Sequence, residues 1–337
     1  MAFLRNAWYV AAWAHEFGAQ LASRKLLGEQ IVFFRKDDGA PVALADRCPH
    51  RFAPLSLGRL KGDRVECGYH GLQFDGTGAC VHNPHTGNMG ARVRSYPVVE
   101  RHGVIWIWTG DPAAADPQTI PDFSYITEAG RKTVFGGTLL NAHYELISDN
   151  LMDASHTQFV HMDLLGTAAF ANSKHEVLQE GDCVHSNYLI PNGPLPPAFK
   201  GYFKNPNLRV DYAVRFRWAP PALVRNHVTV TPLEGEEPEY QRIGSHFITP
   251  ETETTTHYFF AHTRNFAFDD PEADARSRWW QENGLTLQDG PMIEAVQRTM
   301  GTSDLNALKP YLFSIDAAAV RVRRSLARLI EAERQAG

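Results

Sequence analysis

Two short cysteine and histidine pairs are the first candidates for chemistry in this chain. They are Cys48-Pro49-His50 and Cys67-Gly68-Tyr69-His70, with 16 residues between them. Each pair lies where a predicted strand gives way to a loop, so two loops could close on one bound group. Two thiolates on one iron and two neutral imidazoles on the other hold a two-iron, two-sulfide cluster. We therefore predict a [2Fe–2S] cluster with four ligands: Cys48, His50, Cys67 and His70.

A structural zinc site is the alternative for the same ligand types, and it would have no redox function. Zinc sites more often open with two cysteines and close with two histidines, whereas each half here has one of each. The pattern Cys-x-His, 16 residues, Cys-x-x-His resembles the Rieske signature. Cys80 and Cys183 have no partner at a useful spacing, so we interpret them as small buried residues.

A second group of candidate ligands lies in residues 149–161. On a regular helix, Asn150, Asp153 and His156 share one face. His161 is five positions beyond His156, about 140° farther round an ideal helix, so both can bind one ion only where the helix bends, ends or contains a π-like turn. We predict such an irregularity.

Two imidazoles and one carboxylate on one side of iron(II) form a facial triad, which leaves positions for oxygen beside a substrate. The third ligand should be a carboxylate distant in sequence. Asp153, Asp289 and Glu294 are candidates, and spacing alone does not choose among them. A lone histidine on a helix is usually a satisfied polar residue, but this segment and the Rieske-like pattern support each other.

The elements that must position these residues fall into two parts. Between about Gly28 and Trp108, short strands alternate with turns such as Asp37-Asp38-Gly39, which indicates an all-β half. Residues 109–122 are rich in proline, alanine and glycine and favour an irregular connector. We expect an N-terminal all-β cluster-binding domain with its connector at 1–120 and an α+β catalytic domain at 121–337.

In the second half we predict an antiparallel sheet backed by helices. We expect strands near 132–145, 225–231, 242–248 and 256–266, and helices from about Ser148, which would be the N-cap, and near 276–300. An amphipathic closing helix should bury Val322, Leu326, Leu329 and Ile330 opposite Arg323, Arg324, Arg328 and Glu331.

The composition is that of a folded protein: 337 residues, 43% hydrophobic and 21% charged. A formal charge of −5 gives no global electrostatic reason to bind nucleic acid or an anionic membrane. Fifteen histidines beside four cysteines suit metal binding in a reducing cytoplasm better than a disulfide scaffold. No stretch approaches the roughly 20 apolar residues of a membrane helix. We therefore expect a cytoplasmic protein without nucleic-acid or membrane partners.

Nearly the whole chain is similar to the terminal oxygenases of the vanillate and dicamba O-demethylase group, within the Rieske non-haem iron oxygenases. The likeness lies in residues 5–12, 48–58, 69–72, 96–101, 106–108, 149–161 and 249–252. The resemblance implies that His156 and His161 bind a mononuclear iron. It also implies that Asp289 is the third ligand and that Asn150 lies near the iron.

The resemblance further implies a ring-shaped homotrimer in which the cluster of one subunit serves the iron of its neighbour. The bridge would run from His70 through Asp153 to His156 of the adjacent chain, with the carboxylate accepting a ring N–H from each imidazole. Electrons from NAD(P)H would come through a separate reductase or ferredoxin, because the chain has no dinucleotide fingerprint. A basic surface around the cluster, with a solvated mixed surface as the alternative, is a candidate docking face: Arg47, Arg51, Arg59, Lys61 and Arg64.

The implied reaction is O2-dependent oxidation of a methyl group of a small aromatic acid, first of all O-demethylation of a methoxybenzoate to a phenol and formaldehyde. Asn226, His246 and Trp280 match the substrate contacts of that group, with plain packing as their alternative role. Methyl hydroxylation of an aryl sulfonate and N-demethylation are the other enzymatic candidates. A non-catalytic Rieske electron carrier is the alternative from a different class.

Overall fold

The computed structural model describes residues 3–18, 20–85, 87, 89–161 and 173–336. They divide into two compact units, residues 3–122 with 249–252 and residues 123–248 with 253–336. The first is all-β and the second combines an antiparallel sheet with helices, so the predicted fold class is confirmed. None of the helices in these described residues has the length and apolar character required to cross a membrane.

The first unit contains eleven short strands among its described residues. They are β1 (Trp8–Trp13), β2 (Ala22–Leu26), β3 (Glu29–Arg35), β4 (Pro41–Ala45), β5 (Arg59–Lys61), β6 (Arg64–Glu66), β7 (Gln73–Phe74), β8 (Cys80–His82), β9 (Ser95–Tyr96), β10 (Val98–Arg101) and β11 (Val104–Trp108). They form three antiparallel sheets, in the orders β1-β11-β10, β2-β3-β4-β9 and β5-β6-β7-β8. The last two sheets share an apolar core that includes Cys48 and Cys67.

The second unit is built on one seven-stranded antiparallel sheet. Its strands are β12 (Lys132–Leu140), β13 (Lys174–Glu180), β14 (Cys183–Pro194), β15 (Arg209–Ala219), β16 (Leu223–Pro232), β17 (Tyr240–Pro250) and β18 (Thr256–Arg264), in the order β12-β18-β17-β16-β15-β14-β13. Its helices are α1 (Tyr144–Met152), α2 (Pro271–Trp280), α3 (Gly290–Met300) and α4 (Ala317–Ala336). Strands β13 to β15 extend the sheet beyond the predicted strands.

The helix that carries Asn150 begins earlier than predicted. It starts at Tyr144 after the N-cap residue His143, whereas Ser148, the predicted N-cap, is buried within the helix. Tyr144, Ile147 and Leu151 are buried on one helical face. Burial of that face stabilises the extra turn, and this tertiary packing outweighs the capping preference of a serine.

The closing helix α4 buries Val322 and Leu326 as predicted, but the position of Arg323 was predicted wrongly. Its side chain is buried, and its Nε lies 3.0 and 2.9 Å from the two carboxylate oxygens of Asp149. Its Nη1 donates to Glu145 at 3.0 Å. Burial raises the pKa of Glu145 to about 7, against the opposing charge of the guanidinium. A buried cation must be paired, so this ion cluster joins α4 to α1.

The helical stretch predicted near 276–300 is observed as α2 and α3, joined without a break by a π-helical segment, Gln281–Asp289. A π-helical segment is wider than an α-helix and is frequent at functional sites. It carries the carboxylate of Asp289 at its last position.

Candidate active site

The cysteine and histidine pairs lie on two loops of the same shape, residues 48–53 and 67–72. In each loop the N–H of the fourth residue after the cysteine donates to the cysteine carbonyl. The cysteine N–H in turn donates to the carbonyl of the fifth residue. The fourth residues, Phe52 and Gly71, both have a positive φ, of 60° and 74°. Glycine adopts this left-handed conformation without strain, which explains Gly71.

The four predicted cluster ligands are arranged with the thiols inside and the imidazoles outside. Cys48 and Cys67 are 1% and 2% exposed, whereas His50 is exposed and His70 is half-buried. The centroids of the two imidazole rings are 4.4 Å apart. Burial, followed by the neighbouring Cys67, raises the pKa of the Cys48 thiol to about 11. Bound iron reverses this preference, because a coordinating thiol is deprotonated outright.

This donor set fits a [2Fe–2S] cluster. Backbone N–H groups of His50 and Arg51 donate to the Cys48 sulfur, and hydrogen bonds to sulfur are among the factors that set the potential of such clusters. The exposed side of the group consists of imidazoles. His50 and His70 would hold the histidine-bound iron of such a cluster, and Cys48 and Cys67 the other.

His156, His161 and Asp289 form a compact group of three possible metal ligands in the second unit. One donor atom from each lies within 4.8 Å of the others. Oδ1 of Asp289 is 3.1 Å from Nε2 of His161 and 3.6 Å from Nε2 of His156. Burial would lower the pKa of His161, but the hydrogen bond and charge of Asp289 raise it. The interaction with Asp289 thus favours the protonated form of the His161 imidazole. A metal cation bound by the three side chains would replace that proton.

The other two candidate carboxylates have different partners. Glu294 accepts hydrogen bonds from the backbone N–H and the side-chain amide of Asn141, at 2.8 and 3.0 Å. Asp153 accepts from the backbone N–H of Ser155 at 2.7 Å. Asp289 is therefore the carboxylate that the described structure brings to both histidines.

Both histidines are held in the tautomer that a metal requires. Nδ1 of His161 is 2.6 Å from Oε1 of Gln288, and Nδ1 of His156 meets the backbone carbonyl of Asp153. Carbonyl oxygens only accept, so each Nδ1 donates a proton, and the Nε2 atom that faces Asp289 is the one left to bind a metal once its own proton is displaced. Metal-ligating histidines usually make this kind of hydrogen bond through the second ring nitrogen. The group fits a mononuclear iron.

The predicted irregularity in the histidine segment is confirmed, but it begins before His156. Helix α1 ends at Met152, and the Asp153 carboxylate caps a 3-10 turn at Ala154–Gln158. That turn ends between His156 and His161, which releases the second histidine from helical geometry. The prediction that Asn150, Asp153 and His156 share a regular helix face was wrong, because the backbone changes direction at Asp153.

Two further side chains hydrogen-bond members of this group: Asn150 of α1 and Gln288 of the π-helical segment. Nδ2 of Asn150 lies 3.3 Å from Oδ1 of Asp289, so the amide donates to the carboxylate. Gln288, which precedes Asp289 in the π-helical segment, orients His161. Sequence reasoning named Asn150 but missed Gln288, whose role depends on a contact between residues far apart in the chain.

A cavity of about 110 Å³ opens beside the three ligands. Most of its wall is apolar or aromatic: Leu151, Tyr212, Val214, Phe216, Val228, Leu285 and Trp280. The predicted substrate contacts Asn226, His246 and Trp280 all line this cavity. Arg242 and His262, which sequence reasoning missed, line it too.

Gly244 lies between the polar groups of Asn226 and His246 and leaves no room for a side chain. Asn226 pairs with Gly244 in the β16–β17 register, and its Oδ1 accepts from the Gly244 N–H at 3.3 Å. A Cβ at Gly244 would lie 2.8 Å from Oδ1 of Asn226 and 2.8 Å from Nε2 of His246. Any larger residue would press on both polar groups, so glycine keeps this part of the cavity open.

His246 is a neutral, buried histidine with one free nitrogen. Its Nδ1 is 2.7 Å from the hydroxyl of Tyr258, and burial lowers its pKa to about 4. Its buried Nε2 has no hydrogen-bond partner among the residues described. A buried polar atom left without a partner is costly. A bound molecule would satisfy it.

Comparisons with known proteins agree with this geometry. The Rieske [2Fe–2S] domain matches residues 7–97, and the vanillate O-demethylase oxygenase C-terminal domain matches residues 140–332. The oxygenase component of dicamba O-demethylase from Stenotrophomonas maltophilia is 43% identical, over 99% of each chain. The oxygenase component of chloroacetanilide N-alkylformylase from Rhizorhabdus wittichii is 38% identical, over 98% of this chain and 97% of that protein.

Among solved structures, a crystal structure of dicamba monooxygenase with non-haem iron and dicamba has a TM-score of 0.88 and 39% identity, with 100% of each chain covered. A Rieske domain holds a [2Fe–2S] cluster, so the zinc alternative is set aside. The protein is an oxidoreductase whose cofactors are this cluster and a mononuclear iron. The chain belongs to the Rieske non-haem iron oxygenases, in the family defined by the vanillate O-demethylase oxygenase C-terminal domain.

Proposed function

We propose that this oxygenase removes the O-methyl group of a methoxybenzoate and releases a phenol and formaldehyde. The observation that carries the proposal is one cavity with aromatic walls, which has the polar pair Asn226 and His246 on its lining and the three-ligand group at its edge. A flat aromatic acid with its carboxylate at the polar pair could present a ring substituent to the metal. The name of the dicamba O-demethylase relative supports the same reaction class.

We assign roles to the site residues as follows. Iron is held by His156, His161 and Asp289, and the cluster by Cys48, His50, Cys67 and His70. When iron is bound, it supplies oxidation of a C–H bond by O2 and two electrons. Asn150 and Gln288 orient the ligands, while Asn226, His246 and Trp280 bind the substrate. We assign the cluster to a domain at 1–120 and the iron to a domain at 121–337.

The chain's own residues would select the methyl group by position. Trp280 offers an aromatic face to the ring, and the neutral His246 Nε2 can hydrogen-bond a carboxylate oxygen. The apolar wall excludes water from the reacting end. An oxidised O-methyl group is a hemiacetal, which falls apart to formaldehyde and the phenol without further help from the protein.

The proposal predicts formaldehyde in a defined assay. The protein is incubated with NADH, a ferredoxin and its reductase, and 2-, 3- or 4-methoxybenzoate. Formaldehyde, phenol and O2 uptake are measured. We expect one formaldehyde per O2 with at least one isomer. Methylbenzenesulfonates and N-methylanilines are run alongside. Hydroxymethyl product or N-demethylation without any phenol would overturn O-demethylation in favour of an alternative.

Removal of an N-linked group is the second candidate, because chloroacetanilide N-alkylformylase is a relative over nearly the whole chain. The N-methylaniline arm of the same assay tests it. If the protein is an electron carrier without oxygenase activity, the donor would reduce its cluster, but no substrate would increase O2 uptake in any arm.

We further propose a homotrimer in which an electron passes from His70 of one subunit through Asp153 to His156 of the next. A groove of about 620 Å³ in the second unit is lined by Asp153 and His156, and Leu312 on its rim is 55% exposed. Near the cluster, Tyr69 is 58% exposed. Exposed apolar side chains at both places favour an interface between copies.

The electron donor is a separate reductase or ferredoxin, and we propose that it docks on the basic surface around the cluster. Arg59 is paired with Glu66 at 2.9 Å, whereas Lys61 and Arg64 are exposed and form no ion pair within the described part of the chain. Both are therefore available to an acidic partner. We also propose a cytoplasmic location, where cysteine ligands remain reduced before cluster assembly.

Charge reversal should test this docking surface. The double variant Lys61→Glu/Arg64→Glu should slow cluster reduction by about 10-fold at low ionic strength, because electrostatic steering accelerates association by that order or more. At 0.5 M salt the difference should shrink below about two-fold. The control Lys174→Glu/Lys200→Glu makes the same charge change at exposed positions of the second unit. Equal stopped-flow rates at low salt would contradict the docking surface.

A further inference from the structure

Arg242 places a positive charge in the substrate cavity. It lies on β17 opposite Val228 of β16, two residues from Gly244 and four from His246, so all three positions share a face of the sheet. The only carboxylate among the described residues lining the cavity is Asp289, which belongs to the metal group. Arg242 makes no ion pair with any acidic side chain in the described ranges.

The surroundings of Arg242 do not neutralise its charge. Its guanidinium carbon lies 5.2 Å from the ring centroid of Phe199 and 5.9 Å from that of Trp280, within the range of about 6 Å for a cation–π contact. Burial lowers its pKa, and the only side chains that offset this are Tyr212 and Tyr202. Arginine nonetheless remains protonated in proteins.

Two of the histidines that line the cavity with Arg242, His246 and His262, are neutral. Burial lowers the pKa of His246 to about 4 and that of His262 well below the usual value, with a further contribution from Arg242 to His262. Nε2 of His246 and Nδ1 of His262 are buried without a partner in the described structure. The cavity therefore offers one half-buried cation without an ion-pair partner in the described residues and two imidazole nitrogens without a hydrogen-bond partner there, and such groups favour a bound anion.

We propose that Arg242 is the charge anchor of the substrate: it pairs with an oxyanion substituent of the aromatic ring, a carboxylate or a sulfonate, and restricts the enzyme to anionic substrates. The inference rests on the proposed function and names its substrate class. A guanidinium binds a planar oxyanion through two parallel N–H groups. Its contacts with Phe199 and Trp280 hold the guanidinium in place, while Asn226 and His246 supply further hydrogen bonds.

Binding without turnover tests the anchor. Calorimetry on the oxidised holoprotein, without reductant, compares methoxybenzoates, methoxybenzenesulfonates and methoxybenzamides. We expect the wild type to bind its preferred acid at least ten-fold more tightly than the matching amide. Arg242→Gln should weaken acid binding at least ten-fold and amide binding less than two-fold. Whichever acid binds more tightly, carboxylate or sulfonate, identifies the natural oxyanion.

Two variants control for indirect effects. Arg215→Gln removes an exposed arginine on β15 that lies outside the cavity, and it should bind like wild type. Arg242→Lys keeps the charge but not the planar fork, so it should lose three- to ten-fold in acid affinity while amide binding stays the same. If Arg242→Gln loses its cluster spectrum or its circular dichroism signal, that variant is misfolded. The acid affinity of Arg242→Lys then tests the anchor.

The anchor and the proposed function can fail separately. Tight acid binding without formaldehyde would overturn O-demethylation and leave the anchor standing. Formaldehyde from acids and amides alike, or an acid preference that survives in Arg242→Gln and Arg242→Lys, would overturn the anchor. A wild type that binds none of the acids would overturn it as well.

Discussion

Replacing His156 by alanine should abolish methyl oxidation and leave the cluster intact. Nε2 of His156 is one of the three candidate metal-binding atoms and lies 3.6 Å from Oδ1 of Asp289. The other ring nitrogen, Nδ1, already hydrogen-bonds the backbone carbonyl of Asp153. Loss of a group that only supports a ligand costs about 10- to 100-fold in metal affinity or activity. Loss of the ligand itself should therefore lower formaldehyde release by about 10³-fold or more.

The measurement separates iron loss from misfolding. Iron per subunit is determined by elemental analysis, and the cluster is followed by visible absorption and electron paramagnetic resonance. We expect mononuclear iron to fall while the cluster spectrum and its reduction rate stay as in wild type. The control His15→Ala removes an exposed histidine outside the three-ligand group and should have no effect. Full iron content and turnover in His156→Ala would show that the ligand assignment is wrong.

The cluster site was predictable from sequence because its information is local. Both ligand pairs lie within loops of six residues, 48–53 and 67–72, which close by the same two backbone hydrogen bonds. Each histidine lies in the same loop as its cysteine, and a positive φ at the fourth residue after the cysteine accounts for Gly71. Such a pattern depends little on the rest of the fold.

The iron site depends on contacts between distant segments, and there sequence reasoning reached only part of the answer. The histidines were evident, but choosing Asp289 over Glu294 required either a known relative or the fold. The partner of His161, Gln288, is 127 residues away. No periodicity reveals a π-helical segment, because its form depends on how the helix packs and not on an amphipathic pattern.

Buried charges were the other gap. The helical pattern places Arg323 on the polar, exposed face of α4. Its side chain is instead buried and paired with Asp149 and Glu145. Arg242 looks like an ordinary strand residue until alternation along β17 is read together with His246. Once His246 is placed in the cavity, period-two alternation puts Gly244 and Arg242 on the same face. That signal was available, but it requires one residue of the strand to be located first.

Replacing Asp153 by asparagine should interrupt electron transfer while both metal sites remain filled. An amide oxygen can still accept from the Ser155 N–H, so the cap of the 3-10 turn should survive. The Nδ1–H of His156 meets the backbone carbonyl of Asp153 and is unaffected, but the other end of the new amide is a donor and cannot accept the ring N–H of His70 of the neighbouring subunit. Replacing a carboxylate that orients a histidine by its amide costs up to about 10⁴-fold, and we expect a loss of about 10²-fold or more here.

Single-turnover kinetics tests this bridge. Pre-reduced protein is mixed with O2 and a methoxybenzoate, and oxidation of the cluster is followed by stopped-flow absorption. Cluster reduction by the donor should be normal in Asp153→Asn, and cluster oxidation should be slow. Asp111→Asn is the matched control, since Asp111 caps a 3-10 turn through the N–H of Ala113 in the same way.

Subunit exchange tests whether the bridge joins two subunits. If it does, mixing Asp153→Asn with His70→Ala and allowing subunits to exchange should restore part of the turnover, because some interfaces then pair an intact His70 with an intact Asp153. Sedimentation should show a trimer at the assay concentration. Full activity from a sedimenting monomer, or normal cluster oxidation in Asp153→Asn, would show that electrons take another route.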